Sequence, residues 1–82
     1  MRQAFVGFER LGVDPEVLDG VAHVLGTRIS VQRALEVLAQ YPDRAQLRDD
    51  YPSLDDDAIS CVLRYAAATT AGRVIPLDRT AA

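Results

Sequence analysis

The chain has 82 residues, a formal net charge of −3 and 49% hydrophobic residues, with one cysteine and one histidine. That length suits one small domain of modest stability, burying about two-thirds of its unfolded surface. A lone Cys61 rules out an internal disulfide and, with a lone His23, argues against a structural zinc site; the acidic balance is a poor global match to nucleic-acid binding, which phosphate neutralisation dominates.

Residues 1–13 carry Phe5, Val6, Phe8, Leu11 and Val13 around Gly12, a pattern that suits a short strand. Asp14-Pro15 ends it, because the residue before proline is pushed to extended geometry and Asp favours a turn or cap. Pro15 to Leu18 form one helical turn closed by Asp19-Gly20, and Val21 to Leu25 read as a second strand. Two strands make an antiparallel ribbon with open edges, which must lie on the helices, pair with a second chain, or both.

Gly26-Thr27-Arg28-Ile29-Ser30-Val31 turns the chain into its first helix. Gly26 permits a tight reversal because it lacks a Cβ, and Ser30 fits an N-cap that accepts from a free N–H of the first turn. Val31, Ala34, Leu35 and Leu38 then fall at helical spacing. This helix runs to Gln40 and stops at Tyr41-Pro42. Asp43 caps a second helix over Arg44 to Asp50, with Leu47 inward, and Tyr51-Pro52-Ser53 breaks it. A third begins near Asp55, where Leu54 and Ile59 have the spacing of a hydrophobic staple and Asp56 and Asp57 meet the positive end of the helix dipole. Its inner face is expected to be Ile59, Val62, Leu63 and Ala66, with Tyr65 beside it, and Gly72 fits its stop. The expected fold class is mainly α: a short N-terminal β-ribbon followed by a three-helix helix-turn-helix unit. The expected single domain spans 1–72, with a β-ribbon arm over 1–29, a trihelical unit over 30–72 and a C-terminal tail over 73–82.

The run Asp14-Pro15-Glu16-Val17, then Gly20, Gly26-Thr27-Arg28-Ile29-Ser30-Val31, and later Asp50-Tyr51-Pro52-Ser53-Leu54, resembles the bacterial domain-of-unknown-function family 433 over about residues 11–67. The resemblance implies a β-ribbon followed by a homeodomain-like trihelical unit. It also implies a VapB-type antitoxin role, in which the protein binds and silences a PIN-like ribonuclease toxin encoded beside it. The chain departs from the family's usual pattern in three places: Asp19-Gly20 stands for two glycines, Ala22 for proline, and Ser60 for a frequent arginine. The last change weakens any carried-over nucleic-acid contact.

Three groups of candidate residues follow. For partner binding, Arg73 and Arg79 flank the apolar tail Val74, Ile75 and Leu77, a design suited to strand addition or groove filling; an arginine there pairs with the clustered carboxylates of a PIN-like nuclease. The other reading of the tail is that it packs on its own domain, against the first helix for example. For nucleic acid, Arg44 and Arg48 share a face at i, i+4 and Arg64 lies on the outer face of the third helix, but Asp55, Asp56 and Asp57 at that helix's start repel phosphate. A structural set comprises Asp14, Gly26, Thr27, Arg28 and Ser30, with Arg28 expected to bond Asp14 or carbonyls of the entry loop. His23 and Cys61 have no catalytic partners and read as structural. The acidic cluster lacks the spacing and glycine of a calcium loop.

The expectation is therefore a bacterial binding protein that is not an enzyme and uses no cofactor or metal. Homodimerisation is expected from the open-edged ribbon and from Phe5, Val6 and Phe8. The alternatives are a DNA-binding autorepressor and an assembly protein that reuses the fold. No apolar run approaches the ~20 residues needed to cross a bilayer, and no signal-peptide pattern opens the chain, so a soluble cytoplasmic location is expected.

Overall fold

The computed structural model of the chain describes residues 1–78. Strands β1 (Gln3–Phe5), β2 (Phe8–Val13) and β3 (His23–Val24) form an antiparallel sheet in the order β1-β2-β3. Helices α1 (Val31–Gln40), α2 (Arg44–Asp50) and α3 (Asp56–Thr70) follow. The expected mainly α class is thus corrected: this is a small mixed α/β domain. The helices do not form a free-standing trihelical unit either, because α3 packs across β2 as well as against α1. The first expected strand is in fact a hairpin. Gly7, at φ 83°, lets Val6-Gly7 reverse the chain so that Phe5 pairs with Phe8.

Each helix starts at the polar side chain that satisfies its first free N–H groups. Ser30 Oγ accepts from Arg33 N–H at 2.9 Å, Asp43 from Ala45 at 2.9 Å, and Asp55 from Ala58 at 2.9 Å. Gly72, at φ 86°, ends α3, and Arg73 N–H donates to the Ala68 carbonyl at 3.0 Å, the pairing of a Schellman stop. Tyr41 and Tyr51, at the ends of α1 and α2, meet edge to face with centroids 5.7 Å apart. The Tyr41 hydroxyl donates to Asp50, which holds the phenol above its ordinary range.

The core joins Leu11 and Val24 of the sheet to Ala34 and Val37 of α1, Leu47 of α2, and Val62 of α3. Leu54 and Ile59 are both buried, as the staple requires. Tyr65 of α3 sits against both hairpin phenylalanines, at 4.9 Å from Phe5 and 5.6 Å from Phe8. Such ring pairs contribute about 0.5–1.5 kcal/mol beyond their burial. Leu63 corrects the expected inner face of α3. It is 44% exposed, and Ala58, Cys61 and Ala68 are buried instead. Cys61, Val62 and Leu63 stand about 100° apart in turn around the axis, so one neighbouring surface cannot cover all three.

Both sheet edges are covered within the chain. Beyond β3, Val24 N–H donates to the Ile29 carbonyl at 2.9 Å and Val31 N–H to Ala22 at 3.0 Å. Beyond β1, Val6 N–H donates to the Pro76 carbonyl at 2.8 Å, Asp78 N–H to Ala4 at 2.7 Å, and Leu77 bridges Phe5. Open edges are therefore no ground for dimerisation, and Phe5 and Phe8 are core residues rather than a free apolar face.

Candidate partner-binding surface

The C-terminal tail is the edge cover just described. After the stop at Gly72 the chain runs extended, and Pro76 to Asp78 lie antiparallel to β1. Ile75 and Leu77 are half-buried against the core, whereas Arg73 is exposed and Val74 is 93% exposed. The tail thus packs on its own domain along the hairpin, not against α1. Two main-chain hydrogen bonds, Val6 N–H to the Pro76 carbonyl and Asp78 N–H to the Ala4 carbonyl, tie it to the hairpin, and Pro76, which has no N–H, blunts the new edge. Arg79 lies outside the described residues.

Beside the tail, a shallow groove of about 420 Å³ runs over the second half of α3. Ala67, Ala68 and Ala71 floor it, Phe8 closes one end, and Arg64 and Arg73 flank it. Three small side chains in one helical turn leave this space, since no branched side chain reaches across it. The Arg64 guanidinium lies 5.2 Å above the Phe8 ring, and Nη1 donates to the Gly7 carbonyl at 3.4 Å. It is thereby attached to the hairpin rather than turned away from it.

The residues considered for nucleic acid are scattered. Arg48 pairs with Asp56 at 3.1 Å, Arg64 covers Phe8, and Arg44 is an exposed residue at the start of α2. The acids are distributed over separate partners too: Asp50 accepts from Tyr41, Asp55 from Arg10, and Asp56 from Arg48. One backbone donation and a guanidinium hold the Asp55 carboxyl below its ordinary value, the Ala58 N–H first and Arg10 second.

The structural set locks the entry to α1. Thr27 Oγ1 donates to the Val24 carbonyl at 2.7 Å and accepts from Ile29 N–H at 3.0 Å, while Gly26 turns at φ 82°. Asp14 Oδ1 accepts from Glu16 N–H at 3.0 Å, which lowers its pKa. Arg28 does not bond Asp14. It is exposed and lines a second shallow groove, of about 350 Å³, with Leu18, Val21 and Arg33. Asp14 instead lies 3.6 Å from the amine of Met1. His23 is a core residue, 1% exposed, whose Nδ1 donates to the Val21 carbonyl at 2.8 Å. Cys61 is buried in the same core.

The sequence reading missed the alanine groove. Its only trace is the spacing of Ala67, Ala68 and Ala71 across a helix whose buried face had been assigned elsewhere. It also missed the left-handed turn at Leu18-Asp19-Gly20, with φ of 51°, 55° and 81°. A glycine at position 19, beside Gly20, would sit there without strain.

Neither a search of curated proteins nor one of solved structures gives a match to this chain. A family model described as a protein of unknown function (DUF433) matches residues 12–66, which run from β2 through most of α3. The match covers the left-handed turn, the Gly26–Ser30 entry and all three helix caps, and the chain belongs to this family.

Proposed function

We propose that this chain is an antitoxin-like binding protein of the bacterial cytoplasm, which acts by occluding a PIN-like ribonuclease of a type II toxin–antitoxin pair and performs no chemistry of its own. The observation that carries this reading is the light attachment of the tail. A segment with half-buried Ile75 and Leu77 and nearly bare Val74 rests on the hairpin through the Val6–Pro76 and Asp78–Ala4 main-chain hydrogen bonds. Such a segment can be lifted at small cost and offered to another protein as a strand or as groove-filling side chains. Arg73 at its base supplies a guanidinium suited to bidentate pairing with nuclease carboxylates. No membrane-crossing helix complicates this picture: among the described residues none is long and apolar enough to span a bilayer.

The test is co-purification from the native host of the intact chain and of a version ending before Leu77. The intact chain is expected to retain a PIN-like nuclease and to suppress its metal-dependent RNA cleavage, and the shortened chain to lose both. Equal recovery of the nuclease by the two versions removes the tail from the contact. Absence of any nuclease with the intact chain overturns the reading.

A further inference from the structure

The outer edge of the hairpin carries a half-made pairing. Phe5 faces Leu77 across an antiparallel bridge, so Val6 stands opposite Pro76 and Ala4 opposite Asp78. In an antiparallel ladder the pairs on either side of an unbonded pair each exchange two hydrogen bonds. Val6 N–H donates to the Pro76 carbonyl at 2.8 Å, but Pro76 has no N–H to give back. The Val6 carbonyl accepts no main-chain hydrogen bond among the described residues, and Val6 is 52% exposed. The tail therefore covers this edge without completing it. Its grip is on the side-chain face. Ile75 and Leu77, two residues apart, point to the same side of the strand, and both are half-buried on the core. The opposite edge has no such opening: Val24 N–H and Val31 N–H close it onto Ile29 and Ala22, within one tight turn of β3.

We propose that the β1 edge is a strand-acceptor site, held by the tail as a placeholder and taken by an extended segment of the bound partner protein. The tail's own fit sets the chemistry of that segment. It carries two apolar residues at alternate positions, as Ile75 and Leu77 are, with a residue other than proline between them. The middle residue gives the Val6 carbonyl the N–H that Pro76 withholds. An incoming strand thus makes every bond the tail makes and one more. The main chain supplies affinity and the alternate apolar positions supply selectivity, as in strand addition to other exposed edges. The proposal deepens the antitoxin reading and rests on it in one respect, that the tail leaves β1 when the partner binds.

NMR titration of the full chain, isotope-labelled and with its tail released by Leu77→Asp, tests it. Loss of Val6 amide protection confirms the release, and the double variant Ile75→Asp/Leu77→Asp serves where the single one keeps that protection. The probes are an end-blocked peptide of residues 73–78 carrying Pro76→Ala, and its analogue with an ester oxygen in place of the N–H at that position. At millimolar peptide, the amides of Ala4, Phe5 and Val6 are expected to shift. The ester is expected to bind about two- to tenfold more weakly, the worth of one net hydrogen bond. The wild-type chain is expected to bind the peptide several-fold more weakly than the released chain, because its own tail competes from a tethered position. The proposal is overturned by a released chain whose Ala4, Phe5 and Val6 amides do not move. An ester that binds as tightly as the amide overturns it too, as does a wild type that binds as tightly as the released chain. No nuclease is present, so a failed titration leaves the co-purification result standing, and a failed co-purification leaves the titration standing.

Discussion

Arg10 of β2 and Asp55 at the start of α3 form a two-pronged ion pair, Nη1 to Oδ1 at 3.0 Å and Nη2 to Oδ2 at 3.3 Å. The same carboxylate caps α3 through Ala58 N–H, so one side chain starts the helix and fixes it to the sheet. Asp55→Ala removes both functions and is expected to lower Tm by roughly 4–8 °C. Asp55→Asn keeps a capping oxygen and loses only the ion pair, so its fall is smaller. The sign of the pH effect follows from the lowered folded pKa. The contribution is complete above the ordinary value of 3.8 and is lost as pH falls from there through the folded value. Asp55→Asn should therefore flatten the acid limb of Tm against pH, leaving the part due to Asp14, whose carboxyl is lowered too. In Arg10→Ala the carboxyl of Asp55 should rise only part of the way, because the Ala58 N–H is the larger cause; carbon-detected NMR titration measures it.

Gly12 of β2 pairs with Ala4 of β1. A Cβ there would run into the Gln3 carbonyl oxygen and sit 2.9 Å from the Ala4 Cα. Both are backbone atoms, so no side-chain rotation relieves the clash and the strands must separate. Gly12→Ala is expected to cost about 3 kcal/mol or more in urea unfolding, a large share of the roughly 5–15 kcal/mol available to a natural domain. Gly7→Ala is the control. Nothing lies within 4 Å of its Cβ, and its cost comes from φ +83° alone, about 1–2 kcal/mol.

The helices were legible because their signals are local. Ser30, Asp43 and Asp55 each precede an apolar period, and Pro42 and Pro52 follow the stops, so chemistry within a few residues sets each boundary. The hairpin was not legible. Its strand β1 has three residues, too few for alternation to show, and Phe5-Val6-Gly7-Phe8 reads equally well as part of one longer strand. The burial of Cys61 and Ala68 over Leu63 depends on where β2 crosses α3, which no window on α3 contains. The tail was visible as an odd apolar segment, but its resting place depends on β1 being an edge. Arg48 and Arg64 looked free by periodicity, and distant residues, Asp56 and Phe8, hold them.

Asp19 is a position where the chain carries strain it can shed. Its φ of 55° and ψ of 32° place an L-residue in the left-handed region, between Leu18 at φ 51° and Gly20 at φ 81°. The side chain is exposed and makes no hydrogen bond or ion pair that glycine would forfeit among the described residues. Asp19→Gly relieves a local cost and enlarges the unfolded ensemble, and the first effect exceeds the second by ~0.5 kcal/mol. A higher urea midpoint at unchanged slope is the expected result. Leu18→Gly should not match it, because Leu18 is half-buried and its apolar contacts are lost at the same time.

Leu77 decides whether the tail is held or released. It bridges Phe5, and its half-buried side chain packs on the core beside the Val6–Pro76 and Asp78–Ala4 hydrogen bonds. Leu77→Ala is expected to cost about 1 kcal/mol, as a partly buried aliphatic group does. Leu77→Asp should detach the segment without unfolding the domain, because none of the caps or the α3–β2 contact depends on it. Amide hydrogen exchange separates these events by residue. Val6 N–H, bonded to the Pro76 carbonyl, should lose protection in Leu77→Asp, while Leu25 N–H, bonded to the Arg10 carbonyl, should keep it. If Val6 and Leu25 lose protection together, the tail opens only when the whole domain does, and a segment so coupled to global unfolding has no separate state in which to meet a partner.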